Sequence, residues 1–207
     1  PELTQHHSDF TRAARRCTRR AALYLRNRSH PPPPHAASEP TVILAADIGG
    51  TKVELALIDP ARDPREHIDR QRFATADAPR FEDLAARFIA DRAPDVDLAV
   101  IAVAGPVVDQ RAEMINAPWT VDAARVAESL ALRRCILLND LQATARGCID
   151  LRDDEVDTLA EGDPEPAAVV GVIAPGTGLG SSFVTFSGAR PNVHATEAGH
   201  ADFAPTT

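Results

Sequence analysis

Aromatic side chains make up only 4% of this 207-residue chain, so its core cannot rest on stacked rings, and Ala, Val, Leu and Ile must carry the burial. At 44% hydrophobic, the chain has ample apolar surface for a packed core, which excludes wholesale disorder. It lacks any run of about 18 apolar residues, so no transmembrane helix is expected. No segment joins a charged start to an apolar secretory stretch either. Cysteine is sparse: Cys17, Cys135 and Cys148 are odd in number and lack metal-ligand spacing. They read as reduced structural thiols of a cytoplasmic protein. Positive charge is also scarce, at a net −8. Residues 1–40 carry +4 and the remainder −12. An acidic body excludes a general nucleic-acid surface, because phosphate contacts need clustered cations.

The first 40 residues stand apart, with seven Arg followed by Pro31 to Pro34. Tetraproline forms extended polyproline rather than helix, so 1–40 reads as a disordered Arg/Pro-rich extension. Regular structure is expected from Thr41. Val42 to Ile48 and Val53 to Asp59 read as strands joined by a glycine turn, and His67 to Ala74 as a more polar edge strand. Phe81, Leu84, Ala85, Phe88 and Ile89 have the spacing of an amphipathic helix. Leu98 to Ala104 is continuously apolar, as for a strand buried on both faces. Thr120 is positioned to cap a helix reaching about Leu132. Cys135 to Leu138 reads as a further buried strand with a helix from about Leu141. Residues 150–167 form an acidic connection, and Ala168 to Ala174 and Ser181 to Phe186 a last strand pair. A hairpin followed by strands alternating with helices predicts an α/β sheet. The expected division is a lobe over 41–150, then a linker and the start of a second lobe over 151–207.

Chemistry concentrates at four places. In Asp47-Ile48-Gly49-Gly50-Thr51, two glycines let the backbone approach a ligand, and successive N–H groups can face phosphate oxygens. Thr51 adds a hydroxyl, and Asp47 is placed to hold Mg²⁺ through water. An ordinary hairpin turn would use the same residues. Gly176-Thr177-Gly178-Leu179-Gly180 repeats this logic between two apolar strands, and two such hairpins can clasp a polyphosphate from both sides. No Lys-Ser/Thr pair follows, so this is not a Walker-type loop. Asn139-Asp140 ends a buried strand, where open α/β sheets place ligands, although both residues are also preferred helix caps. Glu197-Ala198-Gly199-His200 offers a polar rim for several hydroxyls, or simply a surface turn.

In this order the segments DIGGT (47–51), AGP (104–106), NAPW (116–119), LLND (137–140), GTGLG (176–180) and EAGHADFAP (197–205) resemble the bacterial glucokinase family, within the sugar kinase, Hsp70 and actin superfamily. The resemblance covers roughly residues 41–207. It implies a ribonuclease H-like (actin-like ATPase) domain with a mixed sheet, followed by the beginning of a second α/β lobe. It also implies ATP and Mg²⁺ as cofactors and glucose as the partner, phosphorylated at its 6-hydroxyl, with neither nucleic acid nor membrane involved. Gly49, Gly50 and Thr51 resemble the first phosphate turn, and Gly176, Thr177 and Gly178 the second. Asp140 resembles the general base, and Asn116, Asn139, Glu197 and His200 resemble the holders of the other sugar hydroxyls.

The chain departs from the family at Lys52, where this group usually has Asn. Lys there is similar to the related ROK kinases, so a kinase for another hexose or an amino sugar is the alternative. A sugar-sensing regulator or a non-catalytic remnant is a further one. Family members continue well past Thr207, so this chain alone is expected to be nearly inactive, with apolar surface uncovered near 168–207. A homodimer is expected only at full length.

Overall fold

In the computed structural model, residues 42–202 are described except 91, 93, 94, 115, 116, 118, 164, 166, 167, 176 and 177. The 1–40 extension, Asn116, Gly176 and Thr177 therefore lie outside the described residues. The chain divides between Ala143 and Thr144 into two compact units.

Five strands organise the first unit: β1 (Val42–Ile48), β2 (Lys52–Ile58), β3 (His67–Ala74), β4 (Val96–Val103) and β7 (Arg134–Asn139). They lie in the order β3-β2-β1-β4-β7. β1 pairs antiparallel with β2 and parallel with β4, and β4 pairs parallel with β7, so the sheet is mixed, as the α/β reading requires. Side chains alternate across a strand, and the register aligns their apolar sets into rows on one face. Leu57, Leu44 and Ala99 form one row, Leu55, Ala46, Ile101 and Leu137 the next, and Val53, Ile48 and Val103 the third. All are buried.

Helix α1 (Phe81–Ala90) presents Phe81, Leu84, Ala85 and Phe88 to the same buried cluster. This is the face its sequence spacing predicts, and each fully buried large side chain contributes about 1.5–3 kcal/mol. An ion pair of Arg80 with Asp83 at 2.6 Å braces its first turn. β4 departs from expectation. Its Ala99, Ile101 and Val103 are buried, but the alternate Val100 and Ala102 are only half-buried. The uninterrupted apolar run therefore marks one fully buried face and one partly covered face.

Between β4 and β7 the chain forms a short two-stranded arm, β5 (Arg111–Glu113) against β6 (Thr120–Asp122), then α2 (Ala123–Ser129). The expected cap at Thr120 is corrected here: Thr120 belongs to β6, and Asp122 caps α2. The Asp122 carboxylate accepts from the N–H groups of Ala124 and Arg125 at 2.9 and 3.1 Å. Two capping residues lay within one turn, and only Asp122 falls where the strand ends. α2 also stops earlier than expected. Ala131 takes a left-handed φ of 53°, and the N–H of Leu132 turns back to the Ala127 carbonyl at 2.8 Å, closing the helix end. Trp119 is buried, its indole N–H donating to the Ala78 carbonyl at 3.2 Å.

Helix α3 (Asp140–Cys148) spans the division between the units. In the second unit, an irregular connection precedes a three-stranded antiparallel sheet of β8 (Val170–Pro175), β9 (Leu179–Ser187) and β10 (Arg190–Thr196), ordered β10-β9-β8. β8 and β9 match the expected pair, whereas β10 was not anticipated. Within this sheet Ser182 and Val184 are buried, while Ile173 is 70% and Leu179 50% exposed. Uncovered apolar surface, expected near 168–207, is present among the described residues at Val169, Ile173 and Leu179. No described helix is long and apolar enough to cross a membrane.

Candidate active site

The turn between β1 and β2 is pinned from two directions. The Gly49 N–H donates to the Lys52 carbonyl at 2.9 Å. Thr75, which follows β3 and is buried, donates its N–H to the Thr51 carbonyl at 3.0 Å and its hydroxyl to the Gly49 carbonyl at 3.4 Å. The N–H groups of Gly50 and Thr51 make no hydrogen bond among the described residues, which leaves them for an anionic oxygen.

Asp47 sits one residue before the end of β1. Its carboxyl is raised above the usual range, first by partial burial, then by the charges of Asp140 and Glu54. Glu54, opposite Asp47 on β2, is itself held below the usual range. Its bond from Arg72 at 3.1 Å is the main cause, with Arg70 adding to it against partial desolvation. Asp47 and Asp140 thus form a negative locus at the strand ends. An excess of carboxylate charge of this kind suits a cation. Among the described residues no group of three His, Cys, Asp or Glu could hold a metal directly.

Asn139 closes β7 and caps α3. Its side-chain oxygen accepts from the N–H groups of Leu141 at 3.0 Å and Gln142 at 3.3 Å. The Gln142 side chain returns a bond from the Asn139 N–H at 3.3 Å, forming a reciprocal capping box. The Asn139 amide also donates to the Gly105 carbonyl at 3.0 Å. Gly105 takes a φ of 144°, a conformation that favours glycine, and so the AGP segment is tied to the LLND segment. Asp140, half-buried, is the first residue of α3, and one of its oxygens accepts the Leu141 N–H at 2.8 Å.

In the second unit, Glu197 and His200 are both exposed and paired at 3.2 Å around the turn Ala198–His200. A Cβ on Gly199 would stand 1.7 Å from the Leu179 carbonyl oxygen. This turn therefore lies directly on the start of β9, beside the residue following Gly178, which is exposed.

A family model described as glucokinase matches residues 44–207. The chain belongs to the glucokinase family. It is similar to the glucokinase of Nostoc punctiforme, 35% identical over 167 residues that cover 80% of this chain and 49% of that protein. It is also similar to that of Stenotrophomonas maltophilia, 33% identical over 83% of this chain and 52% of that protein. Among solved structures, a glucokinase from an Antarctic psychrotroph superposes with a TM-score of 0.69 at 25% identity, covering 82% of this chain and 54% of that one. Leishmania braziliensis glucokinase shares the fold, with a TM-score of 0.59 at 23% identity and coverage of 83% and 53%. The fold is the actin-like ATPase type that the sequence motifs implied. This glucokinase-family chain spans about half the length of the curated relatives it matches.

Within the first unit, the structure gathers Asp47, Gly49, Gly50, Thr51, Asn139 and Asp140 at strand ends, and within the second it sets Gly178 near Glu197 and His200. Two supporting residues were missed from sequence. Gln142 stands three residues after Asn139, the spacing of a capping box, and could have been found. Thr75 reaches Gly49 across 26 positions, and no local pattern announces that contact.

Proposed function

We propose that this chain carries the phosphate-turn and general-base half of an ATP-dependent glucokinase, which makes glucose 6-phosphate in the first step of glycolysis. The observation that carries the reading is Asp140, fixed at the start of α3 by the Asn139 cap and standing near Asp47. In this reaction the sugar 6-oxygen bonds to the γ-phosphorus while the bond from that phosphorus to the β,γ-bridging oxygen breaks. The hydroxyl proton passes to Asp140, and ADP leaves. Asp140 needs only modest basicity, because the loose transition state demands mainly positioning and charge stabilisation.

In this reading Gly49, Gly50 and Thr51, with Gly176, Thr177 and Gly178, cradle the phosphates. Asn116, Asn139, Glu197 and His200 select glucose by its hydroxyls, since each unmade buried hydrogen bond is costly. Asp47 would hold Mg²⁺ through water, and that ion, when bound, neutralises phosphate charge. We assign the protein to the cytoplasm, residues 41–150 to the first lobe and 151–207 to the linker and the start of the second. At full length it acts as a homodimer.

Calorimetric titration of this chain with glucose, beside Asp140→Ala, tests the reading. Weak binding that is lost in the variant is expected, with turnover far below ordinary kinase rates. Glucose binding of equal strength in both proteins would overturn the assignment of Asp140.

A further inference from the structure

Gln110 sits in a tight turn, Val108 to Arg111, closed by two backbone hydrogen bonds of 2.9 Å. Both central residues, Asp109 and Gln110, take left-handed φ angles of 49° and 60°. Asp tolerates that region, whereas Gln is not among the residues enriched there. Left-handed conformations at such residues persist only where their surroundings fix them. Here the Gln110 carbonyl accepts the Ala123 N–H at 3.0 Å. Its side-chain amide makes two further bonds to a single residue. Nε2 donates to the Leu137 carbonyl at 3.2 Å, and Oε1 accepts the Leu137 N–H at 2.8 Å.

β7 is the last strand of its sheet, so the Leu137 peptide groups facing away from β4 have no strand to pair with. The Gln110 amide takes the place of a missing neighbour's peptide group. Leu137 stands two residues before Asn139 and three before Asp140. We infer that Gln110 is a positioning residue, a clamp on the open edge of β7 that fixes the height of the Asn139–Asp140 corner above the sheet. A residue serving only to blunt the edge against aggregation would leave that corner unaffected. The catalytic consequence of the clamp rests on the proposed role of Asp140, but the clamp itself does not.

The test is amide hydrogen exchange, resolved by residue, on this chain and on Gln110→Met and Gln110→Gly. Met keeps the length of the side chain and loses both bonds. Gly also relieves the left-handed backbone, so the turn itself folds without strain in that variant. In both variants Leu137 should exchange about tenfold faster, the scale of one net hydrogen bond, and the Leu141 and Gln142 amides held by Asn139 should accelerate with it. Unchanged protection at Leu137 would overturn the clamp. Acceleration confined to Leu137 would reduce Gln110 to an edge cap and overturn the positioning role. Exchange requires no turnover, so the clamp is tested independently of the proposed role of Asp140, which fails instead if glucose binds this chain and Asp140→Ala equally.

Discussion

Asp47 lies one residue before the end of β1 and Asp140 one residue past the end of β7, on the two strands that flank β4, and after partial burial the charge of Asp140 raises the carboxyl of Asp47. Two carboxylates at neighbouring strand ends oppose each other's ionisation. A cation bound between them would relieve this repulsion.

The first prediction concerns that pair. In Asp140→Asn one of the opposing charges is gone, so the Asp47 carboxyl should titrate closer to its ordinary value of 3.8. Carboxyl carbon NMR of this chain reads the change without turnover, and an unmoved Asp47 would show that the two charges do not interact. In a chimaera continuing the chain with the second half of a curated relative, the same variant should lose about 10²–10⁴ in phosphoryl-transfer rate, the usual range for removing a general base. Near-full activity would remove Asp140 from that role.

Asp47 also makes stability depend on pH. Its folded carboxyl titrates above the unfolded value of 3.8, so between those two values the folded chain binds more protons than the unfolded one. Stability therefore falls as pH rises through that window, and the loss persists above it. Asp47→Asn removes the loss, so its stability relative to the parent should rise as the pH is raised from below 3.8 to neutrality. Urea unfolding at several pH values measures the difference. A gap independent of pH would mean that Asp47 is not raised in the fold.

The mixed sheet was legible because β1 and β4 are apolar enough to stand out, and the period of α1 matches one buried face. The Asn139–Asp140 corner was legible as two competing uses, a cap and a ligand group. The structure shows Asn139 acting as the cap, with its amide on Gly105. What could not be read depends on distant pairing. Thr75 meets the glycine turn only because β3 folds back along β2. Gln110 meets Leu137 only because β7 ends the sheet. β10 alternates weakly, with Pro191, Val193 and Thr196 half-buried and Asn192 and His194 exposed, so it carries little apolar signal of its own.

Thr75 supplies the third prediction. Thr75→Val keeps shape and β-branching and deletes the hydroxyl that donates to Gly49. Loss of one such bond costs about 0.5–1.5 kcal/mol. The loosened turn should also weaken phosphate contacts, seen in the chimaera as a higher KM for ATP with the KM for glucose unchanged. Thr75→Ser should restore both. If Val and Ser behave alike, the hydroxyl contributes nothing and Thr75 serves only to fill space.

Gly199 gives the sharpest steric case. Added Cβ atoms are tolerated where neighbours are flexible side-chain ends, but here the obstacle is backbone: the Leu179 carbonyl oxygen lies 1.7 Å from the ideal Cβ position. Gly199→Ala must push the Glu197–His200 turn off the start of β9, at a cost of about 1–3 kcal/mol for an overpacked site. Moving the turn also moves Glu197 and His200, the proposed sugar-binding pair. The variant should therefore lower the unfolding midpoint and abolish glucose binding measured by calorimetry. Gly178→Ala, where nothing lies within 4 Å, should leave the midpoint nearly unchanged. Equal midpoints for the two variants would mean that the turn does not pack on Leu179 in solution, and that Glu197 and His200 reach any sugar by another arrangement of this unit.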